Sequence, residues 1–162
     1  MDHLWAAWQI DHDSKDLDLK LKQTLAVSAR KHDEKVTKRE RLLLPELLAI
    51  NEIPLTYCSG YFSDKRNWLM AVTNRRIILL FCSFFGRTTQ LSIDLSKIKS
   101  LSGQTGIVYG SVTITYSGAQ SVDLNFSTLK SNVNGFIKAV TQAMHHLTAT
   151  HEQQSADTVL PS

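Results

Sequence analysis

The segment "AVTNRRIILLFCSFFGR", Ala71–Arg87, decides how the rest of the chain is read. A polar turn with two arginines leads into an apolar run that lasts to Cys82, and Phe84 and Phe85 then stand beside Gly86 and Arg87. Trp68 to Thr73 and Arg76 to Cys82 have the length and composition of two strands joined at Asn74-Arg75. With a two-residue turn, one face carries Trp68, Met70, Val72, Ile77, Leu79 and Phe81. The other carries Leu69, Ala71, Ile78 and Leu80. Both faces are apolar, whereas an antiparallel sheet with a wet face alternates apolar and polar residues. One face belongs to the core and the other needs a cover. The nearest candidate is an N-terminal helix bearing Leu17, Leu21 and Leu25, and a second copy of the chain is the alternative. Arg75 is expected in the exposed turn, with Arg76 reaching along the sheet.

Working outward, further short runs of period two are set off by turn residues. Pro54 to Phe62 is the first strand, followed by the polar loop "SDKRN". Thr88 to Leu95 alternates through Leu91, Ile93 and Leu95, and Ile98 to Ser102 is a shorter run. In "SVTITYSGAQSVDLNF", Val112, Ile114 and Tyr116 face Phe126, Leu124 and Val122 across the turn at Ser117 to Gln120. The count is seven strands.

Helical spacing brackets them. Leu129, Val133, Phe136, Ile137, Val140, Met144 and Leu147 form one stripe over five turns, with Ser127 or Thr128 available as N-cap. Gly135 inside this helix is expected to mark a close helix–sheet approach. "RLLLPELLAINEI" reads as a short helix interrupted by Pro45. An amphipathic helix is expected from about Lys15 to Lys38, preceded by an arm with Trp5 and Trp8. These boundaries divide the chain into a helical extension (1–40), a domain (41–148) and a polar tail expected to be disordered (149–162).

Charge follows the same division. Residues 1–40 carry eight basic and eight acidic side chains, residues 41–148 ten against five, and the tail is net −2. The central domain is mildly cationic, as suits a module with an anionic partner. Cys58 and Cys82 form no CxxC pair and read as free thiols in a reducing compartment. The opening "MDHLWAAWQIDHD" has no basic n-region or long apolar core, so no signal peptide is expected. No apolar run approaches the ~20 residues of a membrane helix. The expected location is the cytoplasm, with peripheral attachment at the inner membrane face as an alternative.

The strand order and certain residues resemble the bacterial pleckstrin-homology-like domains, the YokE-like branch in particular. The resemblance is carried by "LLPELLAINEIPLTYCSGYF", "LMAVTNRRIILL", "QLSIDLSKIKSL", "GSVTITYSG" and the C-terminal helix, spanning about Arg41 to His146. One position departs: where the family has glycine before the acidic turn residue, Asn51 stands here. The resemblance implies a mainly β (α+β) fold: a PH-like, seven-stranded, bent antiparallel sandwich or barrel capped by a C-terminal helix. It also implies a role in binding or assembly, with no catalytic residues to carry over.

The residues point the same way on chemistry. Glu46, Glu52, Asp64, Asp94 and Asp123 are scattered; "GQTGIVYG" lacks the Lys-Ser/Thr of a P-loop; and no GxSxG occurs. The histidines have no zinc spacing, and neither a metal nor a cofactor is expected. Nucleic acid is disfavoured, since no RNP-type aromatic–basic sequence is present. The expected function is that of a non-enzymatic PH-like adaptor acting through protein–protein contacts, with peripheral binding to anionic membrane lipid as the alternative. Protein contact, self-assembly included, would use Trp5, Trp8, Leu17, Leu21, Leu25, Leu69, Ile78 and Leu80. Anionic lipid would be met by Lys65 and Arg66 of the first interstrand loop with Phe84, Phe85 and Arg87 of the third. The two phenylalanines either stand exposed for that purpose or close the barrel end as core.

Overall fold

The computed structural model describes residues 38–157, of which the side chains are described through residue 153. The expected helix of residues 15–38 and the arm with Trp5 and Trp8 lie outside that range.

Helix α1 (Lys38–Leu47) is followed by strands β1 (Pro54–Tyr61), β2 (Asn67–Thr73), β3 (Arg76–Cys82) and β4 (Thr88–Asp94). A 3₁₀ turn at Leu95–Lys97 leads to β5 (Ile98–Thr105), β6 (Tyr109–Ser117), β7 (Ser121–Leu129) and helix α2 (Lys130–Asp157). All strand pairs are antiparallel in a single sheet of order β4-β3-β2-β1-β7-β6-β5, which does not close. The two halves meet at one corner, where Tyr61 pairs with Ser127 and the Thr128 hydroxyl donates to the Ser59 carbonyl at 2.6 Å. Thr128 thus joins the halves of the sheet, and Asn132 donates to the same hydroxyl from the first turn of α2.

The β2–β3 register, Val72 with Ile77 through Leu69 with Leu80, leaves Asn74-Arg75 as the turn and separates the faces as the sequence predicts. Met70, Val72, Ile77 and Leu79 enter the main core with Val112, Ile114, Phe126 and the α2 residues Val133, Phe136 and Val140. Leu69, Ala71, Ile78 and Leu80 form a second cluster with Tyr57, and its cover is α1 of the same chain through Leu44, together with Leu48 just past the end of the helix. Leu69, Ile78 and Leu80 are fully buried there and are not open to a second copy. The short helix that leads into β1 therefore packs on the outer face of the sheet.

A buried ion pair locks α1 in place. Glu52, 1% exposed, receives Arg76 in bidentate fashion, Nε to Oε1 at 2.8 Å and Nη2 to Oε2 at 2.9 Å. Its carboxylate also accepts from the Thr73 hydroxyl and from the Ala49 amide, each at 2.8 Å. Arg76 extends further, to the Leu47 carbonyl at the end of α1 and to the Ser92 hydroxyl on β4. Beside it, Asn74 Oδ1 accepts the Ile53 amide and Nδ2 donates to the Asn51 carbonyl. The turn "TNRR" is thus a clamp on the segment entering β1. Asn51 itself sits at φ 61°, a left-handed conformation that asparagine tolerates better than most residues.

Two expectations about α2 are corrected. The helix continues through Asp157, so residues 149–157 are helical rather than a disordered tail. "TATHEQQSAD" contains neither Gly nor Pro to stop it. Nor does Gly135 mark the close approach: a Cβ there would meet nothing within 4 Å. The approach is made from the sheet side, at Gly103, where a Cβ would come within 2.3 Å of Ile137 Cδ1 and 2.8 Å of Val133 Cγ1.

Gly135→Ala should accordingly stabilise the fold by about 1 kcal/mol in urea denaturation, the helix-propensity difference, whereas Gly103→Ala should destabilise it by pushing α2 off β5. Arg76→Met should cost about 3–5 kcal/mol by stranding the buried carboxylate. The double variant Glu52→Gln/Arg76→Met should cost less than the sum of the single changes. Burial would raise the Glu52 carboxyl, but the Arg76 hydrogen bond, the Ala49 amide and the Thr73 hydroxyl together hold it below its ordinary 4.5. Its contribution is therefore present above pH 4.5 and is lost as pH falls through the lower folded value. Chemical denaturation between pH 6 and 3 should show this loss, with less of it in Glu52→Gln.

Candidate functional site

The β1–β2 and β3–β4 loops meet at one end of the sheet, as the sequence predicts. The Arg66 guanidinium of the first loop lies 5.3 Å over the ring of Phe81, near the end of β3, and Trp68 packs on the same ring at 5.4 Å. From Trp68 a file of rings runs inward through Phe62 (5.6 Å) and Phe126 (5.8 Å) to Phe136 of α2 (5.2 Å). This file fills the end of the core, and Phe84 and Phe85 are left outside it. They are 85% and 92% exposed, their rings edge-to-face at 5.8 Å.

Local geometry holds them at the tip. The Gly86 amide donates to the Ser83 carbonyl, the Ser83 amide to the Arg87 carbonyl, and Gly86 has φ 79°. This is a three-residue hairpin loop in which a type I turn is followed by a left-handed residue, a place suited to glycine. The Arg87 amide donates to Ser83 Oγ, tightening the loop further. In the first loop, Lys65 is held at φ 60° by its amide bond to the Phe62 carbonyl. Asp64 accepts from the Arg66 amide and, at 3.4 Å, from Trp68 Nε1, and its carboxylate lies 3.8 Å from Arg66 Nε. Asp64, one of the acids that read from sequence as scattered, therefore shapes the loop. Lys65, Arg66 and Arg87 are exposed around it.

The third component was not predicted. The β2–β3 ladder ends at Leu69–Leu80, which leaves the Cys82 amide without a β2 partner. Glu40 of α1, buried to 5% exposure, accepts that amide at 2.8 Å. The first turn of α1 is thereby fastened to the last residue of β3, two residues before Phe84, with Lys38 and Arg39 exposed on it. Cys82, a free thiol, senses the same neighbourhood: burial pushes it up and Glu40 adds to that, against the Thr88 hydroxyl and the Arg39 guanidinium. No sequence motif marks this juxtaposition, because 42 residues separate Glu40 from Cys82.

Another exposed apolar tip, also missed, is the β5–β6 loop, where Ile107 is 95% exposed beside Val108 and Tyr109. Among the described residues no helix is long and apolar enough to cross a membrane.

A family model for the bacterial PH domain matches residues 48–142, more than half of the chain and nearly the whole of the sheet and α2 core described above. The protein belongs to the bacterial PH domain family. PH-like domains are in general binding modules rather than catalysts. No curated protein matches the chain.

The packing makes a sharp contrast in stability. Phe84→Ser/Phe85→Ser should change the unfolding free energy by no more than about 0.5 kcal/mol. Phe126→Ala, which removes a ring from the interior, should cost about 3–5 kcal/mol in the same urea titration.

Proposed function

We propose that the protein is a non-enzymatic PH-like module that attaches peripherally to anionic membrane surfaces through the end of the sheet formed by the β1–β2 and β3–β4 loops. The observation that carries this reading is the near-complete exposure of Phe84 and Phe85 on a tightly hydrogen-bonded loop flanked by Lys65, Arg66 and Arg87. Two aromatic rings at a loop tip lose apolar contact with water by entering the headgroup region. Each nearby cation adds about 1 kcal/mol of attraction to an anionic leaflet. Lys65, Arg66 and Arg87 are all exposed, so the chemistry favours general anionic lipid.

The rival reading, assembly through the outer face of the β2–β3 hairpin, drew on an apolar face in need of a cover, and α1 supplies that cover. Contacts made by Trp5, Trp8, Leu17, Leu21 and Leu25 fall outside the described residues.

Vesicle flotation tests the proposal. The full chain should float with phosphatidylcholine vesicles containing about a third phosphatidylglycerol at low salt, float less at high salt, and stay behind with phosphatidylcholine alone. Phe84→Ser/Phe85→Ser should abolish flotation while keeping the native circular-dichroism spectrum. An absence of flotation with anionic vesicles at either salt would sink the membrane reading.

A further inference from the structure

Two further cationic side chains lie on the helix turn that is fastened to Cys82, two residues before the exposed phenylalanines. Lys38 and Arg39 are solvent-exposed on the first turn of α1. The 2.8 Å bond from the Cys82 amide to Glu40 fixes that turn against the end of β3, and Leu44 and Leu48 hold the helix flat on the sheet. At the far end of the helix, Arg76 grips the Leu47 carbonyl. The helix is therefore secured at both ends of β3 and cannot swing its basic first turn away from the loop tip without breaking a buried hydrogen bond. Of the described acids, Glu40 is buried on the Cys82 amide and Asp64 lies against Arg66.

Building on the membrane reading above, we propose that the first turn of α1 is part of the membrane-contact surface, with Lys38 and Arg39 meeting anionic headgroups beside the inserted Phe84-Phe85 tip. The occupant is an anionic bilayer, argued from charge complementarity and from the adjoining exposed rings. The two loops alone would present a cationic edge along one side of the tip. Adding the helix turn places cations on α1 and on both loops, which favours seating the domain upright on the surface.

The experiment compares the full chain with two variants of equal net-charge change, using the same phosphatidylglycerol-containing vesicles at low salt. Lys38→Glu/Arg39→Glu reverses the proposed contact. Lys99→Glu/Lys138→Glu reverses two exposed lysines on β5 and α2. The first variant should partition about tenfold or more less strongly, as expected for losing two surface cations at ~1 kcal/mol each. The second should stay within about threefold of the unaltered chain, and both should melt within a few degrees of it. A milder pair, Lys38→Gln/Arg39→Gln, should fall between the full chain and the reversal, so that an unfolded reversal variant would still leave a reading. Equal losses in the two reversal variants would mean that net charge alone matters and would overturn the assignment, as would no loss in the α1 variants. Either result leaves the Phe84-Phe85 site standing. If the unaltered chain fails to float, the membrane reading and this extension of it fall together.

Discussion

The Glu52–Arg76 pair is the constraint on which the arrangement of this domain depends. A carboxylate buried to 1% exposure is costly unless every lone pair is used. Here the Ala49 amide, the Thr73 hydroxyl and a bidentate guanidinium use them. Because Arg76 also holds the Leu47 carbonyl and Ser92, four segments that are distant in sequence acquire one common position: the end of α1, the entry to β1, the β2–β3 turn and β4. Such a pair adds little net stability over a well-packed apolar substitute, and its value lies in the single geometry that satisfies it. The consequence is that the helix covering the outer face of the sheet has a fixed direction along β3.

That direction carries over to the functional end of the molecule. With its last turn held by Arg76, the first turn of α1 must lie beside Cys82, and Glu40 meets the amide that the shortened β2 ladder leaves there. The exposed phenylalanine tip, the two basic loops and the basic helix turn are brought together by two buried carboxylates, Glu40 and Glu52. Neither takes part in binding in this account. At the same end the half-buried rings of Phe81, Trp68 and Phe62 stack in a file onto buried Phe126, and Phe84 and Phe85 stand outside it.

Much of the sheet is legible in the sequence because its cues are local. The two-residue turn at Asn74-Arg75 sets a register that the structure reproduces pair for pair, and alternation in "SVTITYSGAQSVDLNF" separates the faces of β6 and β7, although Ser117 pairs with Ser121 instead of lying in the turn. The heptad-like stripe of α2 likewise needs only its own spacing. The failures share one cause. Gly135 and Gly103 are indistinguishable as letters, and only the crossing of α2 over β5 reveals which of them lies at the contact. Glu52 reads as one of several scattered acids and Glu40 is not singled out at all, because their partners, Arg76 and Cys82, are 24 and 42 residues away. The loop Ile107–Tyr109 was weighed only for its glycines, and its exposure depends on where the neighbouring strands end.

By itself, then, the sequence determined the strand and helix order, the faces of the β2–β3 hairpin, the mildly basic character of the domain and the family resemblance carried by "LMAVTNRRIILL". These follow from periodicity, turn chemistry and composition, which act over a few residues. The tertiary structure alone decided that α1 rather than another segment covers the outer face, that Phe84 and Phe85 stand in solvent, and that Lys38 and Arg39 stand near them. Burial and proximity depend on how distant segments compete for the same surface. At this end of the sheet, Phe62, Trp68 and Phe81 took the interior places, and the two phenylalanines of the turn were left outside.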